Sequence, residues 1–300
     1  MDIKKYEVLL NVIDRGSFVR ACEDSGYTQS GITHMMNSLE QEVGFPLLLR
    51  TNKGVQITSA GEQVLPAIRE LVNMNERLEQ EFDLIRGLET GRLRIGCYPT
   101  VACSWMPKLF FVFRERYSHI QIELIEEGSI SQMENWLSSG MIDIAFFSRQ
   151  PKHAYEWVFL KRDPYLAVLP AGHPLAEKEY VTPEQLMREP FFMQRCLDGL
   201  DQDIKRYFDK NGVPICSGVT SNSDYTLMFM VERGLGVAVL PSLILEQFPG
   251  RSQRLVTRPL FPLAYRELGF AVRSLRDKSP AMARFIQCAR EVLQQENKEI

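Results

Sequence analysis

The sequence predicts an α/β protein in three successive parts: a small helical head closed by a β-hairpin over residues 1–58, one long helix over residues 59–90, and a two-lobed α/β body over residues 91–300. Three observations carry this. Apolar residues recur at helical spacing three times before Gly44, and a heptad pattern then runs from Val64 to Ile85. Beyond Gly91, strand-like apolar runs alternate with amphipathic stretches.

In the head, Ile3, Tyr6, Leu9, Leu10 and Ile13 mark a first helix that stops at Gly16, and Ser17 is placed to cap the second, "SFVRACEDSGY", with Phe18, Ala21 and Cys22 inward. After a turn at Gly26 and Tyr27, Thr28 caps a third helix whose stripe is Ile32, Met35, Met36, Leu39 and Val43. Its opposite stripe reads Gln29, Ser30, Thr33, His34 and Asn37, short hydrogen-bonding side chains with hardly any charge. Such a face suits base edges in a major groove. Helix, tight turn and helix within about 25 residues is helix-turn-helix spacing. The pieces "LLLRT" and "GVQIT" around "NKG" add a hairpin, making a winged variant with Arg50 and Lys53 placed to meet phosphates.

From Ser59 one long helix is expected, with no glycine between Gly61 and Gly87. Val64, Ile68, Leu71, Asn75, Leu78, Phe82 and Ile85 alternate steps of four and three, a seam that points to pairing with a second chain, the alternative being an amphipathic helix packed on its own chain. A lone Asn75 inside it would set register. After the boundary "GLETG", the order "LRIGC", "SWMPKLFFVFRERY", "IQIELIEEG", "SQMENWLSSG", "IDIAFFS" reads βαβαβ, a parallel sheet covered by helices. A second lobe begins near "YLAVLPAGHPL" and includes the helix "DQDIKRYFDKNG" and "SDYTLMFMVERGLGVAVLP"; a strand "LGFAVR" and a helix "SPAMARFIQCAREVL" close the chain. Crossing strands between two such lobes leave a cleft faced by the carboxyl ends of parallel strands.

Composition sets limits on function. With 45% apolar residues the chain can bury a sizeable core. No run approaches the roughly 20 apolar residues of a membrane span, and "MDIKKYE" lacks the order of a signal peptide, so the cytoplasm is expected. Cys22, Cys97, Cys103, Cys196, Cys216 and Cys288 form no C-x-x-C pair and read as reduced thiols. Net charge is −3, and the first sixty residues hold six cations against seven acids. Binding to DNA must therefore rest on geometry and few phosphate contacts, with help from dimerisation.

The stretch from "GSFVRACEDSGYTQSGITHMMNSLEQEVGF" to "GEQVL", together with "VLPAGHPLA" and "VERGLGVAVLP", resembles the LysR-type transcriptional regulators over essentially the whole chain. The resemblance implies a winged helix-turn-helix, a linker helix that pairs with another subunit's, and a periplasmic-binding-protein-like effector domain that senses a small molecule. It also implies homotetramers, commonly two dimers, that bend promoter DNA, with RNA polymerase a further expected partner. Carried over by position, Thr28, Gln29, Ser30, Thr33, His34 and Asn37 fall in the groove-reading segment, and Arg50 and Lys53 in the wing. Ser30 stands where members usually carry Pro, and His34 where Arg is common. Effector contacts are implied at Pro99, Thr100 and Val101, at Ser129, at Phe147 and Ser148, at Gln194 and Cys196, and at Asn222 and Ser223. Hydroxyls beside helix N-termini suit a polar or anionic ligand, although Thr100, Ser129 and Ser223 also have the residue types of plain helix caps.

An enzyme is not expected. The four histidines His34, His119, His153 and His173 show no metal spacing, G-x-S-x-G is absent, and "GLGVAV" is no dinucleotide fingerprint, so neither cofactor nor metal is anticipated. His173 in "AGHPLA" reads as a turn residue. The alternative within the same family is thiol-based redox sensing through Cys196, with Arg195 beside it favouring thiolate. No resolving cysteine follows closely, Cys216 being the nearest.

Overall fold

The computed structural model describes residues 2–51, 54–196, 199–247 and 254–296. It divides into two compact units, one holding the chain up to Gly91 with Ser138–Met141, the other Arg92–Leu137 and the chain from Ile142 onward.

The first unit starts with α1 (Ile3–Arg15), α2 (Phe18–Ser25) and α3 (Gln29–Val43), capped by the side chains of Asp2, Ser17 and Thr28. The hairpin pairs β1 (Leu48–Thr51) antiparallel with β2 (Gly54–Ile57). Its seat on the helices has a steric cause. Gly54 has φ of 121°, and a Cβ there would lie 2.5 Å from the Gly16 carbonyl oxygen, the same oxygen that accepts a 2.8 Å bond from Val55 N. Glu40 anchors the other side, its Oε1 accepting from the backbone of Leu47 and Leu48 at 2.7 and 2.9 Å.

The long helix α4 (Ser59–Ile85) is capped by Thr58. Its predicted seam divides in two. Ile68 and Val72 are buried in the core of Leu9, Val12, Ala21, Ile32, Met36 and Leu39, with Val64 and Leu71 packed against it. Leu78, Phe82 and Ile85 are exposed, and Asn75 Nδ2 donates to Glu79 of its own helix at 3.2 Å. Arg69, 7% exposed at its side chain, forms an ion pair with Asp14 of α1.

The second unit continues with β3 (Gly91–Cys97), α5 (Pro99–Ser104), α6 (Met106–Arg116), β4 (Ile120–Glu126), α7 (Ile130–Ser139), β5 (Ile144–Ser148) and the long β6 (Glu156–Pro170). A 3-10 turn at Pro174–Glu177 precedes α8 (Pro183–Leu186), β7 (Phe191–Cys196), β8 (Gly199–Leu200), α9 (Gln202–Lys210), β9 (Val219–Ser221) and α10 (Asp224–Glu232). Then come β10 (Val237–Pro241), α11 (Ser242–Glu246), β11 (Leu255–Pro259), β12 (Tyr265–Val272) and α12 (Pro280–Glu296). Lobe I holds β4, β3, β5, β12 and the first half of β6 in that order; lobe II holds the second half of β6 with β10, β11, β7, β8 and β9. The expected parallel sheet is mixed, since β3 and β5 are parallel but β12 runs antiparallel to β5 and to β6. The reason is topological: β6 leaves lobe I and β12 returns to it, so the two run in opposite directions side by side. Gly269 lies at a bulge between them, and a Cβ on it would lie 2.1 Å from the Val158 oxygen.

Lobe I packs the rings of Phe113, Phe146, Phe270 and Phe285. Lobe II buries Phe191, Phe208 and Val239 on one sheet face and Phe192, Leu227 and Leu240 on the other. Cys22, Cys97, Cys103, Cys216 and Cys288 are free thiols. Among the described residues no helix is long and apolar enough to cross a membrane, and no metal-ligand cluster occurs.

Candidate functional site

In the first unit, Gln29, Ser30, His34 and Asn37 are exposed along α3, Thr33 is half-buried, and Ile32, Met36 and Leu39 are buried on the reverse side. Thr28 is occupied as a cap: its Oγ1 accepts from Gly31 N at 3.2 Å and lies 3.1 Å from Ser30 Oγ. The wing is tied to this helix through Arg50, whose guanidinium donates to Asn37 Oδ1 at 3.2 Å and stacks 4.8 Å over the Phe18 ring. A stacked, hydrogen-bonded guanidinium is preorganised for a phosphate or base edge. The sequence pattern places Phe18 only in the core and gives no sign of this stacking role. Lys53 lies outside the described residues.

In the second unit a cleft of about 770 Å³ separates the lobes. Lobe I contributes Pro99, Glu126, Glu127 and Gly128, and lobe II Gln194, Arg195, Thr220, Ser221 and Asn222. Pro99, Gln194 and Asn222 among the sequence-predicted contacts therefore line it. Ser129 and Ser223 sit behind it as caps, Ser129 Oγ accepting from Gln132 N at 3.2 Å and Ser223 Oγ from Thr226 N at 3.4 Å. Val101 and Phe147 turn into the lobe I core, with Phe147 edge-on to Tyr98 and Tyr155. The side chain of Cys196 lies outside the described residues. His173 caps the 3-10 turn, its Nδ1 accepting from Leu175 N at 3.2 Å.

Thr100 and Ser148 belong to a buried polar seam where the strands cross. Arg266 on β12, 4% exposed at its side chain, donates through Nε to Asp163 Oδ2 and through Nη2 to Thr100 Oγ1, both at 2.9 Å. Asp163 Oδ1 accepts from Leu243 N of α11 at 3.0 Å, and the guanidinium lies 5.6 and 5.8 Å from the Tyr98 and Tyr165 rings. A second thread runs from Tyr98 OH to Ser148 Oγ (3.1 Å), from Ser148 to Gln150 Nε2, and from Gln150 Oε1 to Arg206 of α9 at 3.1 Å. Both threads join lobe I to lobe II.

The seam is rich in carboxyls. Burial, opposed in part by Arg266, pushes Asp224 up to about 7, and its Oδ1 has no hydrogen-bond partner. Burial and then Asp203 raise Asp201 to about 6. A carboxyl raised in the folded state contributes stability that is complete below its unfolded value and lost as pH rises through the folded one. Asp224→Asn is accordingly expected to gain on the parent protein by about 2–3 kcal/mol between pH 5 and pH 8. Urea midpoints that move in parallel for the two proteins across that range would show that this carboxyl does not titrate there.

A second groove of about 680 Å³ is lined by Arg149, Trp157, Phe159, Lys161, Arg162 and Glu267, where Arg149 and Arg162 already pair with Glu267 at 3.5 and 3.6 Å. In the cleft, by contrast, Arg195 makes no ion pair with Glu126 or Glu127. Sequence reasoning missed Glu126, Glu127, Arg195, Thr220 and Ser221 as lining residues and Asp163, Asp224 and Arg266 in the seam. The only signal for the glutamates was their position at the end of a predicted strand.

Comparisons with known proteins agree with this arrangement. Residues 3–62 match the model of the bacterial regulatory helix-turn-helix protein, lysR family, and residues 86–294 that of the LysR substrate binding domain. The chain is 31% identical over 293 residues to the HTH-type transcriptional regulator YvbU of Bacillus subtilis, covering 97% of this chain and 99% of that one. Full-length OxyR from Pseudomonas aeruginosa, solved as a point variant, shares the fold with a TM-score of 0.75 at 19% identity, over 98% of this chain and 95% of that one. Full-length CbnR in complex with its target DNA shares it with a TM-score of 0.66 at 17% identity, over 97% and 100%. With both family models matched in order, an exposed uncharged helix face in the head and a polar cleft in the body, the chain belongs to the LysR family and is a DNA-binding transcriptional regulator with an effector-binding domain.

Proposed function

We propose that this regulator acts in the cytoplasm, without enzymatic activity, by binding promoter DNA as a symmetric dimer or tetramer whose grip or bending of DNA is set by a small molecule in the cleft. The observation that carries the reading is the α3 face, where Gln29, Ser30, His34 and Asn37 stand exposed beside an Arg50 already fixed by Asn37 and Phe18. In the head, sequence would be read by hydrogen bonds to base edges and affinity supplied by a few phosphate contacts. RNA polymerase would meet the assembled complex. Coupling is supported by the seam, since Thr100 lies one hydrogen bond from Arg266 of the crossing strand β12 and Ser148 two, through Gln150, from Arg206 of α9, so that a ligand preferring one lobe arrangement biases the whole body.

The test is a gel-shift titration against the preferred site and random DNA. Gln29→Ala should cost about 1–3 kcal/mol at the preferred site and much less on random DNA. Arg50→Ala should weaken both. Unchanged site preference in Gln29→Ala would mean that α3 does not read bases through this face. A promoter response that follows oxidant and disappears in Cys196→Ser would replace the ligand with a thiol switch.

A further inference from the structure

The two walls of the cleft carry opposite charges, and we propose that its effector is a small zwitterion, a molecule with an ammonium at one end and a carboxylate at the other. This deepens the reading of the cleft as the effector site and rests on it. From lobe I come Glu126, at the end of β4, and Glu127 next to it; Glu127 Oε1 already accepts from Ser129 N at 2.8 Å, which fixes the carboxylate in place. From lobe II comes Arg195, flanked by the neutral hydrogen-bonding groups of Thr220, Ser221 and Asn222. Among the described residues no ion pair joins Arg195 to either glutamate, so neither wall's charge is spent on the other.

Charge counting decides between ligand classes. A simple anion would find one guanidinium but two carboxylates, and like charges brought together in a partly dehydrated cleft repel. A simple cation would leave Arg195 without a counterion. A zwitterion meets both walls with charge-assisted hydrogen bonds, the strong kind. On the buried side of the cleft Arg266 is neutralised by Asp163, so it offers an anion no spare positive charge. Ser129 and Ser223 cap α7 and α10 and so take up one N-terminal amide of each, which weakens the pull of those two helices on an anion. A volume of about 770 Å³ accommodates a metabolite of amino-acid size with water. A ligand whose two charges belong to different lobes also binds best when the lobes approach, the differential affinity that signalling requires.

The experiment is calorimetric titration of the full chain, preceded by a melting-temperature screen, with three matched probe sets: the proteinogenic α-amino acids and γ-aminobutyrate, the amines lacking their carboxylate, and the carboxylates lacking their ammonium. At least one amino acid should bind, with its amine and its deaminated acid each weaker by about tenfold or more. Glu126→Gln/Glu127→Gln, near-isosteric on a half-exposed wall, should lose about tenfold or more for that amino acid and gain for the deaminated acid; Arg195→Gln should lose the amino acid and gain for the amine. No binding by any amino acid, or equal binding by the deaminated acids, overturns the zwitterion. Asn222→Trp separates the two levels by filling the cleft from an exposed position. Acids that bind the parent chain and not Asn222→Trp would leave the cleft as the effector site and reject the ligand class. An amino acid that binds Asn222→Trp undiminished would reject the cleft itself.

Discussion

Arg266→Met is expected to destabilise the C-terminal unit by about 3–5 kcal/mol, the largest effect of any single substitution considered for this unit. The guanidinium and the Asp163 carboxylate are 4% and 2% exposed, so removing one leaves the other charged and without a counterion in a site that water cannot reach. Thr100 Oγ1 loses a donor in the same step. Adding Asp163→Leu should return part of the loss, because an apolar pair costs little where a lone buried charge costs much. Recovery stays incomplete, since Leu243 N then lacks the Oδ1 acceptor it has at 3.0 Å. Trp105, Trp136 and Trp157 all belong to this unit, so urea unfolding followed by tryptophan fluorescence reports on it alone. A midpoint for Arg266→Met equal to that of the parent protein would mean that water reaches the pair.

Leu78→Asp is expected to convert the assembly to monomers and lower affinity for the preferred DNA site by at least about a hundredfold. Met74, Leu78, Phe82 and Ile85 are exposed at 55%, 49%, 49% and 83%, an apolar stripe on α4 that nothing in its own unit covers. An aspartate at Leu78 would enter a seam between two helices once from each chain. Loss of the dimer removes one of two half-site contacts and leaves the weak non-specific binding of a single head. Ile68→Asp makes the contrast, because Ile68 is packed in the head core, and its replacement should unfold the head itself. Sedimentation velocity showing the parent oligomer for Leu78→Asp would mean that the stripe is not the seam.

How much of this could be read from the residues follows the range of the interactions. Ile32, Met36 and Leu39 recur at a local period, and they are the buried side chains of α3. Val64 and Ile68 share their heptad with Leu78 and Phe82, yet one half packs at home and the other does not. Periodicity names a face without naming what covers it. Thr100 was legible as a hydroxyl after a strand, but its partner Arg266 is 166 residues away. The expected preference for a polar or anionic ligand rests on hydroxyls beside helix N-termini; Ser129 and Ser223 each hold one amide as caps, while the charges that line the cleft, Glu126, Glu127 and Arg195, carry no such local mark in the sequence.

The passage of β6 out of lobe I and the return of β12 have a consequence for the order of assembly. Lobe I pairs Ser148 with Leu268, so its sheet stays unfinished until the chain has made all of lobe II and come back. Lobe II lies within that interval, and the points where the chain enters and leaves it are neighbours, Tyr165 N bonding Ala264 O at 2.9 Å. Once lobe II has formed, that bond shortens a detour of about a hundred residues to a single step, and the entropy of closing lobe I falls accordingly. The lobe begun first is thus completed last, on a template that the other lobe supplies.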